Sequence, residues 1–173
     1  MLEIGMICAE AGEKIARVSA NMAMAADMEV RASSTATTGA YSSACQRGLP
    51  AILMERGGGG RFTDSEVQAY KQDVKNIMIR MGLLSGEEVH TVQQKNVTRA
   101  EYLEAETDGL WYPVFSAGDT FAGGAVLGTV RDIWGTLLRE YRADYPGIIL
   151  YQTVGLGVKT GDPLIAYGEY VDR

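Results

Sequence analysis

The chain has 173 residues, 46% hydrophobic and 22% charged, with a formal net charge of −6. That length holds one ordinary domain or two small ones. The acidic balance argues against a large nucleic-acid footprint and against an anionic membrane surface, since both need clustered Lys and Arg.

The opening "MLEIGMICAEAGEKIARVSA" lacks a basic start followed by an apolar core, so it does not read as a signal peptide. No run of about 18 apolar residues marks a membrane span. Residues 10–27 read as a helix, with Ile15, Val18, Met22 and Ala25 on one face. "MEVRAS" (28–33) reads as a short strand. Residues 34–48 mix turn formers with a brief helix that Gly48 stops. "PAILM" (50–54) reads as a buried strand, and "RGGGGRF" (56–62) as a loop. Thr63 and Glu66 form a capping box that opens a long helix. Its apolar stripe is Val67, Tyr70, Val74, Ile77 and Met81, and Gly82 ends it. Helices and strands therefore alternate through residues 10–82, the α/β pattern.

"LLSGEEVHTVQQKN" (83–96) reads as a linker, and helical periodicity disappears after it. "TRAEYLEAET", "LWYPVF", "AVLGTV", "LLREYR", "GIILYQ" and "PLIAYGEY" read as short strands joined by turns. A weak repeat pairs Gly118-Asp119 with Gly161-Asp162, each followed by an apolar strand. That plan suits a small barrel or sandwich of two similar halves. The expected division is residues 1–88 for the α/β part and 97–173 for the β part.

Glu55 closes the "PAILM" strand, and the glycines beyond it let backbone come close to a ligand. Ligands of α/β sheets bind beyond the carboxyl ends of strands. A carboxylate there serves as a general base or acid, or as the ion-pair partner of Arg47, Arg56 or Arg61. The glycine run is not a phosphate loop, because no Lys-Ser/Thr follows it. Cys8 and Cys45 read as free thiols of a reducing cytoplasm. The single histidine, His90, lies on a polar stretch and matches no zinc spacing. Lys159 reads as an ordinary turn lysine.

"GLPAILMERGGGG", a helix ending "NIMIRMGLL", and then "LWYPVFSAGDTFAGGAVLGTV" together resemble the succinylglutamate desuccinylase/aspartoacylase family over roughly residues 35–170. The resemblance implies part of a zinc-carboxypeptidase-like αβα sheet domain followed by a barrel-sandwich domain. It implies a deacylase that cleaves an N-acyl amino acid or related amide with metal-activated water. Glu55 is then the proton shuttle. Tyr41, fourteen positions earlier, falls where such enzymes place a tyrosine near the substrate. Cys45 replaces an arginine that grips the substrate carboxylate, and Arg56 is the candidate to supply that charge. Tyr167 falls within reach of a substrate in the family's arrangement.

The family's His-x-x-Glu pair and second histidine have no counterpart in this chain. The expectation is therefore a C-terminal half: a fragment, a shortened frame or one piece of a split enzyme. Zinc belongs to the complete enzyme and is not held by this chain alone. A missing N-terminal half or partner chain is expected, as is self-association through an unpaired sheet edge. The competing reading is a non-catalytic β-barrel interaction or oligomerisation module.

Overall fold

A computed structural model describes residues 3–8 and 12–171, without the side chains of Ile4, Met6 and Cys8. The expected free thiol of Cys8 therefore lies outside the described residues, as do the first residues of the expected N-terminal helix. The fold is mixed α/β, with three helices and two sheets among the described residues. It divides into two compact units, Glu3–Val97 and Thr98–Tyr170.

The first unit contains β1 (Ile4–Cys8), α1 (Glu13–Ala25), β2 (Val30–Ser34), α2 (Ala40–Gln46), β3 (Ile52–Glu55) and α3 (Asp64–Arg80), and it ends at the start of β4 (Lys95–Glu104). The strand order is β3-β1-β2-β4. β2 is parallel to both β1 and β4, while β3 is antiparallel to β1. β1 is not legible in sequence. β3 is an edge strand among the described residues, so Ile52, Leu53 and Met54 are only half-buried rather than fully covered.

Helix α3 begins as its capping box requires. The Thr63 hydroxyl accepts from the Glu66 N–H, and the Glu66 carboxylate accepts from the Thr63 N–H. The apolar stripe, however, is not its buried face. Val67, Val74 and Met81 are 37%, 44% and 40% exposed, while Asp73 and Asn76 are fully buried. Both polar residues have partners, which is why burial is tolerated. Asn76 pairs with the backbone N–H and C=O of Val89. Asp73 belongs to the site described below. The segment read as a linker is thus fastened to α3. Arg80 also pairs with Glu88, and Glu88 with His90 at 2.9 Å.

The second unit contains the rest of β4, then β5 (Gly109–Pro113), β6 (Thr120–Phe121), β7 (Val126–Arg131), β8 (Leu137–Arg142), β9 (Gly147–Gln152), β10 (Gly157–Val158) and β11 (Pro163–Val171). Its strands run β4-β11-β9-β6 in one sheet and β10-β5-β7-β8 in the other. The two sheets share a core built on Trp111, Leu127, Ile149, Leu164 and Tyr167. Trp111 meets Tyr141 edge-on at 5.7 Å, and Phe121 meets Tyr167 edge-on at 5.5 Å.

The repeat seen in sequence is chemically real. The Asp119 carboxylate accepts from Ser116 N–H and the Asp162 carboxylate from Lys159 N–H, each at 2.8 Å. Each aspartate N–H returns a bond to the same residue's carbonyl. The intervening glycines, Gly118 and Gly161, have φ of 93° and 88°, a conformation costly for any residue with a Cβ. The Lys159 backbone is committed to this turn, as an ordinary turn residue's would be.

Gly128 is required for a different reason. A Cβ there would lie 2.2 Å from the Trp111 ring. Gly128→Ala is expected to destabilise the second unit by at least about 1–3 kcal/mol, the cost of overpacking a core. Urea unfolding followed by tryptophan fluorescence measures it, since both tryptophans, Trp111 and Trp134, lie in this unit. An unchanged midpoint would mean that the ring moves aside freely.

Candidate active site

Glu55 is the last residue of β3 and is exposed. Its two neighbours are held from α3. The Tyr70 hydroxyl donates to the Met54 carbonyl. Burial, together with the charges of Asp73 and Glu55, raises the Tyr70 phenol pKa, so the hydroxyl keeps its proton and stays a donor. On the other side, the Arg56 guanidinium is 4% exposed and grips the fully buried Asp73 carboxylate at 2.6 and 3.0 Å. It also pairs with Glu3 and donates to the Asp27 carbonyl at 2.8 Å. Asp73 accepts in turn from the Asp27 N–H at 2.8 Å. Burial opposes the Arg56 charge, but the hydrogen bonds and charges of Asp73 and Glu3 outweigh it and raise its pKa.

Of the ion-pair partners that the sequence offered Glu55, Arg56 is engaged elsewhere. The ion pair forms between Arg56 and Asp73, not between Arg56 and Glu55. No hydrogen bond or ion pair engages the Glu55 carboxylate among the described residues. The result is an uncommitted carboxylate on a strand end whose flanking residues are both tied down.

The same geometry corrects the expectation for Arg56. Its guanidinium is already consumed by two carboxylates and a carbonyl, so it is not free to anchor a substrate carboxylate. Tyr41 lies in the first turn of α2 and is half-buried, and no hydrogen bond joins it to Glu55 among the described residues. No hydrogen bond or ion pair links the three expected site residues to one another among the described residues. Cys45, which replaces the expected arginine, is 2% exposed. Its thiol contacts the Ala51 carbonyl at 3.5 Å and the Ser19 hydroxyl at 3.7 Å. It packs α2 against its surroundings and offers no charge. Tyr167 is a core residue of the second unit, 1% exposed, and its hydroxyl accepts from the Asp144 N–H.

Glu55 closes its own strand at the carboxyl end, and strand direction fixes which edge of the sheet that is. Because β3 is antiparallel to β1, Glu55 stands beside Ile4, which pairs with Val30, which pairs with Lys95. Glu55 thus lies level with the amino ends of β1, β2 and β4. The carboxyl edge of the parallel strands is the opposite one. Glu55 reaches its edge only because its own strand runs the other way.

The glycines after Arg56 make a tight turn. Gly57, Gly59 and Gly60 have φ of 74°, 60° and 70°, and Arg61 N–H returns to the Gly58 carbonyl at 3.1 Å. A Cβ on Gly57 would sit 3.1 Å from the Arg61 carbonyl oxygen. Beside this turn lies a largely apolar cavity of about 430 Å³ lined by Arg56, Gly57, Phe62, Glu66, Val67, Tyr70, Lys71 and Val74. Neither Glu55 nor Tyr41 lines it.

Asp27 fastens the segment after α3. It accepts from Thr91 N–H and hydroxyl and from Val92 N–H at 2.6–3.1 Å. Burial raises its pKa, but those hydrogen bonds, with the nearby His90, prevail and lower it. A carboxylate whose folded pKa is depressed stabilises the fold above its unfolded value and loses that contribution as pH falls through the folded one. Thermal stability is therefore expected to drop below about pH 4, and the drop is expected to shrink in Asp27→Asn. Melting curves from pH 6 to pH 2 test this; identical profiles for both proteins count against it.

No group of three or more His, Cys, Asp or Glu side chains among the described residues is arranged to hold a metal ion. No helix among them is long and apolar enough to cross a membrane. No protein-family model and no curated protein matches the chain. Solved structures do. The product-bound ectoine utilization protein EutE (DoeB) from Ruegeria pomeroyi matches with a TM-score of 0.84 at 20% identity, over 97% of this chain and 53% of that one. A succinylglutamate desuccinylase/aspartoacylase from Rhodobacter sphaeroides matches at 0.80 and 20% identity, over 99% and 54%. An aspartoacylase family protein from Mesorhizobium loti matches at 0.77 and 19% identity, over 99% and 53%. The chain spans about half the length of the structures it matches. Its fold is that of a portion of succinylglutamate desuccinylase/aspartoacylase family proteins, and a C-terminal portion fits.

Proposed function

We propose that this chain is the C-terminal half of a zinc-dependent amidohydrolase that removes the acyl group from an N-acyl amino acid or related small amide. In this reading the first unit is part of a carboxypeptidase-like sheet domain and the second is a barrel-sandwich domain. The observation that carries it is the free, exposed carboxylate of Glu55 between two tethered neighbours, in a fold shared with deacylase family proteins. A general base needs that combination: an available oxygen and a fixed position. Glu55 takes a proton from the attacking water and delivers it to the departing nitrogen.

The described residues do not fit a zinc site, so the metal falls to polypeptide that supplies the other half, and this chain's own part is confined to the proton transfers. The open edge of β3 is where that polypeptide adds its strand. Tyr41 remains the substrate-side candidate on this chain, and the arginine role passes to the other half. The buried free thiol of Cys45 fits a cytoplasmic setting.

The test is hydrolysis of a panel of N-acetyl and N-succinyl amino acids, read as released amine. The chain joined with its other half is expected to turn over at least one, and the chain alone none. Amine release by the chain alone, or none from the completed protein across the panel, contradicts the reading.

A further inference from the structure

The apolar stripe of α3 is only partly covered by the described residues. Phe62 is 77% exposed, and Val67, Val74, Met78 and Met81 are each 37–44% exposed. The last four recur at intervals of seven, four and three, so they form one continuous band about 20 Å long. Contiguous apolar bands of this kind mark interaction sites more often than they stand bare. This face includes neither the β3 edge nor the Glu55 carboxylate, although Arg56 and Tyr70 line the cavity at its end.

We infer that the band is an isologous interface, on which α3 packs antiparallel against α3 of a second copy of this chain. Three features on this face select that occupant. First, the band is symmetric about Val74, which lies midway between Val67 and Met81. A two-fold axis through Val74 sets Val67 of one protomer against Met81 of the other and Val74 against itself. Self-complementarity of this kind is what a two-fold interface requires. Second, the charges choose the orientation. A parallel pair would stack Lys71 on Lys71, Lys75 on Lys75 and Asp64 on Asp64. The antiparallel pair separates them and places the acidic first turn, with Asp64 and Glu66, beside the last turn that carries Arg80. It also aligns the helix dipoles head to tail. Third, the 430 Å³ cavity lies at the Val67 end of the band. Met81 and Leu84 of the second copy arrive there. An unbranched methionine suits an irregular apolar hollow, and the Lys71 stem can lie along its rim with the ammonium in water.

Sedimentation velocity over a concentration series up to about 100 μM tests this, a range that covers micromolar dimers. A two-fold dimer is expected. Val74→Glu and Met78→Glu are each expected to raise the dissociation constant at least about tenfold, with the helix signal retained because both sites are partly exposed, at 44% and 37%, and Glu favours helix. Val114→Glu, on an exposed site of the second unit, is the control and keeps the dimer. In addition, a short bis-maleimide is expected to join Val74→Cys protomers to each other but not Val114→Cys protomers. A monomer throughout, a dimer that survives Val74→Glu, or species that grow beyond dimer with concentration each overturns the proposal.

Discussion

Asp73→Ala lowers the stability of the first unit by about 3–5 kcal/mol, the usual consequence of removing one partner from a buried ion pair. The Arg56 guanidinium stays where it is, 4% exposed, with Glu3 and one carbonyl as its remaining partners. The Asp27 N–H loses its acceptor as well. Domains have about 5–15 kcal/mol to lose, so the change takes a large fraction of the total. Circular dichroism at the helix band isolates the effect, because α1, α2 and α3 all lie in the first unit. The double variant Asp73→Leu with Arg56→Met is expected to recover much of the loss. An apolar pair of similar volume removes both buried charges instead of stranding one. A midpoint that moves by less than about 1 kcal/mol in Asp73→Ala would show that water reaches Arg56 and that the site is less closed than its burial indicates.

The parts of this fold that can be read from sequence are those with local chemistry. The Thr63–Glu66 box and the two Gly-Asp turns complete their hydrogen bonds within three residues, so type and spacing suffice. β1 is hidden because Gly5 interrupts its apolar run. In the fold, a Cβ on Gly5 would meet Met28 Sδ at 3.7 Å and Ala23 Cβ at 3.9 Å, ordinary contacts with residues that no window of sequence places beside it. Hydrophobicity alone assigns the wrong face of α3 to the interior. Asp73 and Asn76 win that interior through partners on Arg56 and Val89, 17 and 13 residues away. Such pairings are tertiary facts, and a charged residue within a helix reads as solvated without them. The same limit applies to β3. Its strand character is local, but its antiparallel placement beside β1 is not, and that placement decides which sheet edge Glu55 occupies.

Arg56 shows why a site residue is harder to read than an element. Its position beside Glu55 makes it a candidate anchor, yet a cation next to a loop can point outward or inward. Here Asp73, one helix away, turns it inward. The residues that fix Glu55 in place, Tyr70 and Asp73, look in sequence like a stripe aromatic and a surface charge. Only the pairing of Tyr70 with Met54 and of Asp73 with Arg56 shows that α3 holds the strand end on both sides.

Glu55→Gln in the completed enzyme is expected to lower kcat by about 10²–10⁴-fold, the range for losing a general acid/base, with KM changed little. Glutamine keeps the side chain's length and polarity but cannot carry a proton between water and amine. The substitution should not disturb the fold. Glu55 is exposed and forms no pair among the described residues, and the tethers on Met54 and Arg56 do not involve its side chain. Equal melting temperatures for the two proteins are therefore part of the expected result, as is equal metal content. Glu55→Asp separates position from chemistry. It retains a titratable oxygen but withdraws it by one methylene, so its rate should fall between those of wild type and Gln. Loosening the tether offers a further contrast. Tyr70→Phe leaves the carboxylate intact but removes the hydroxyl that holds the Met54 carbonyl, so it should reduce kcat less than Glu55→Gln does. If Glu55→Gln turns over at the wild-type rate, the proton shuttle lies elsewhere, and the free carboxylate at the end of β3 is only a solvated strand terminus.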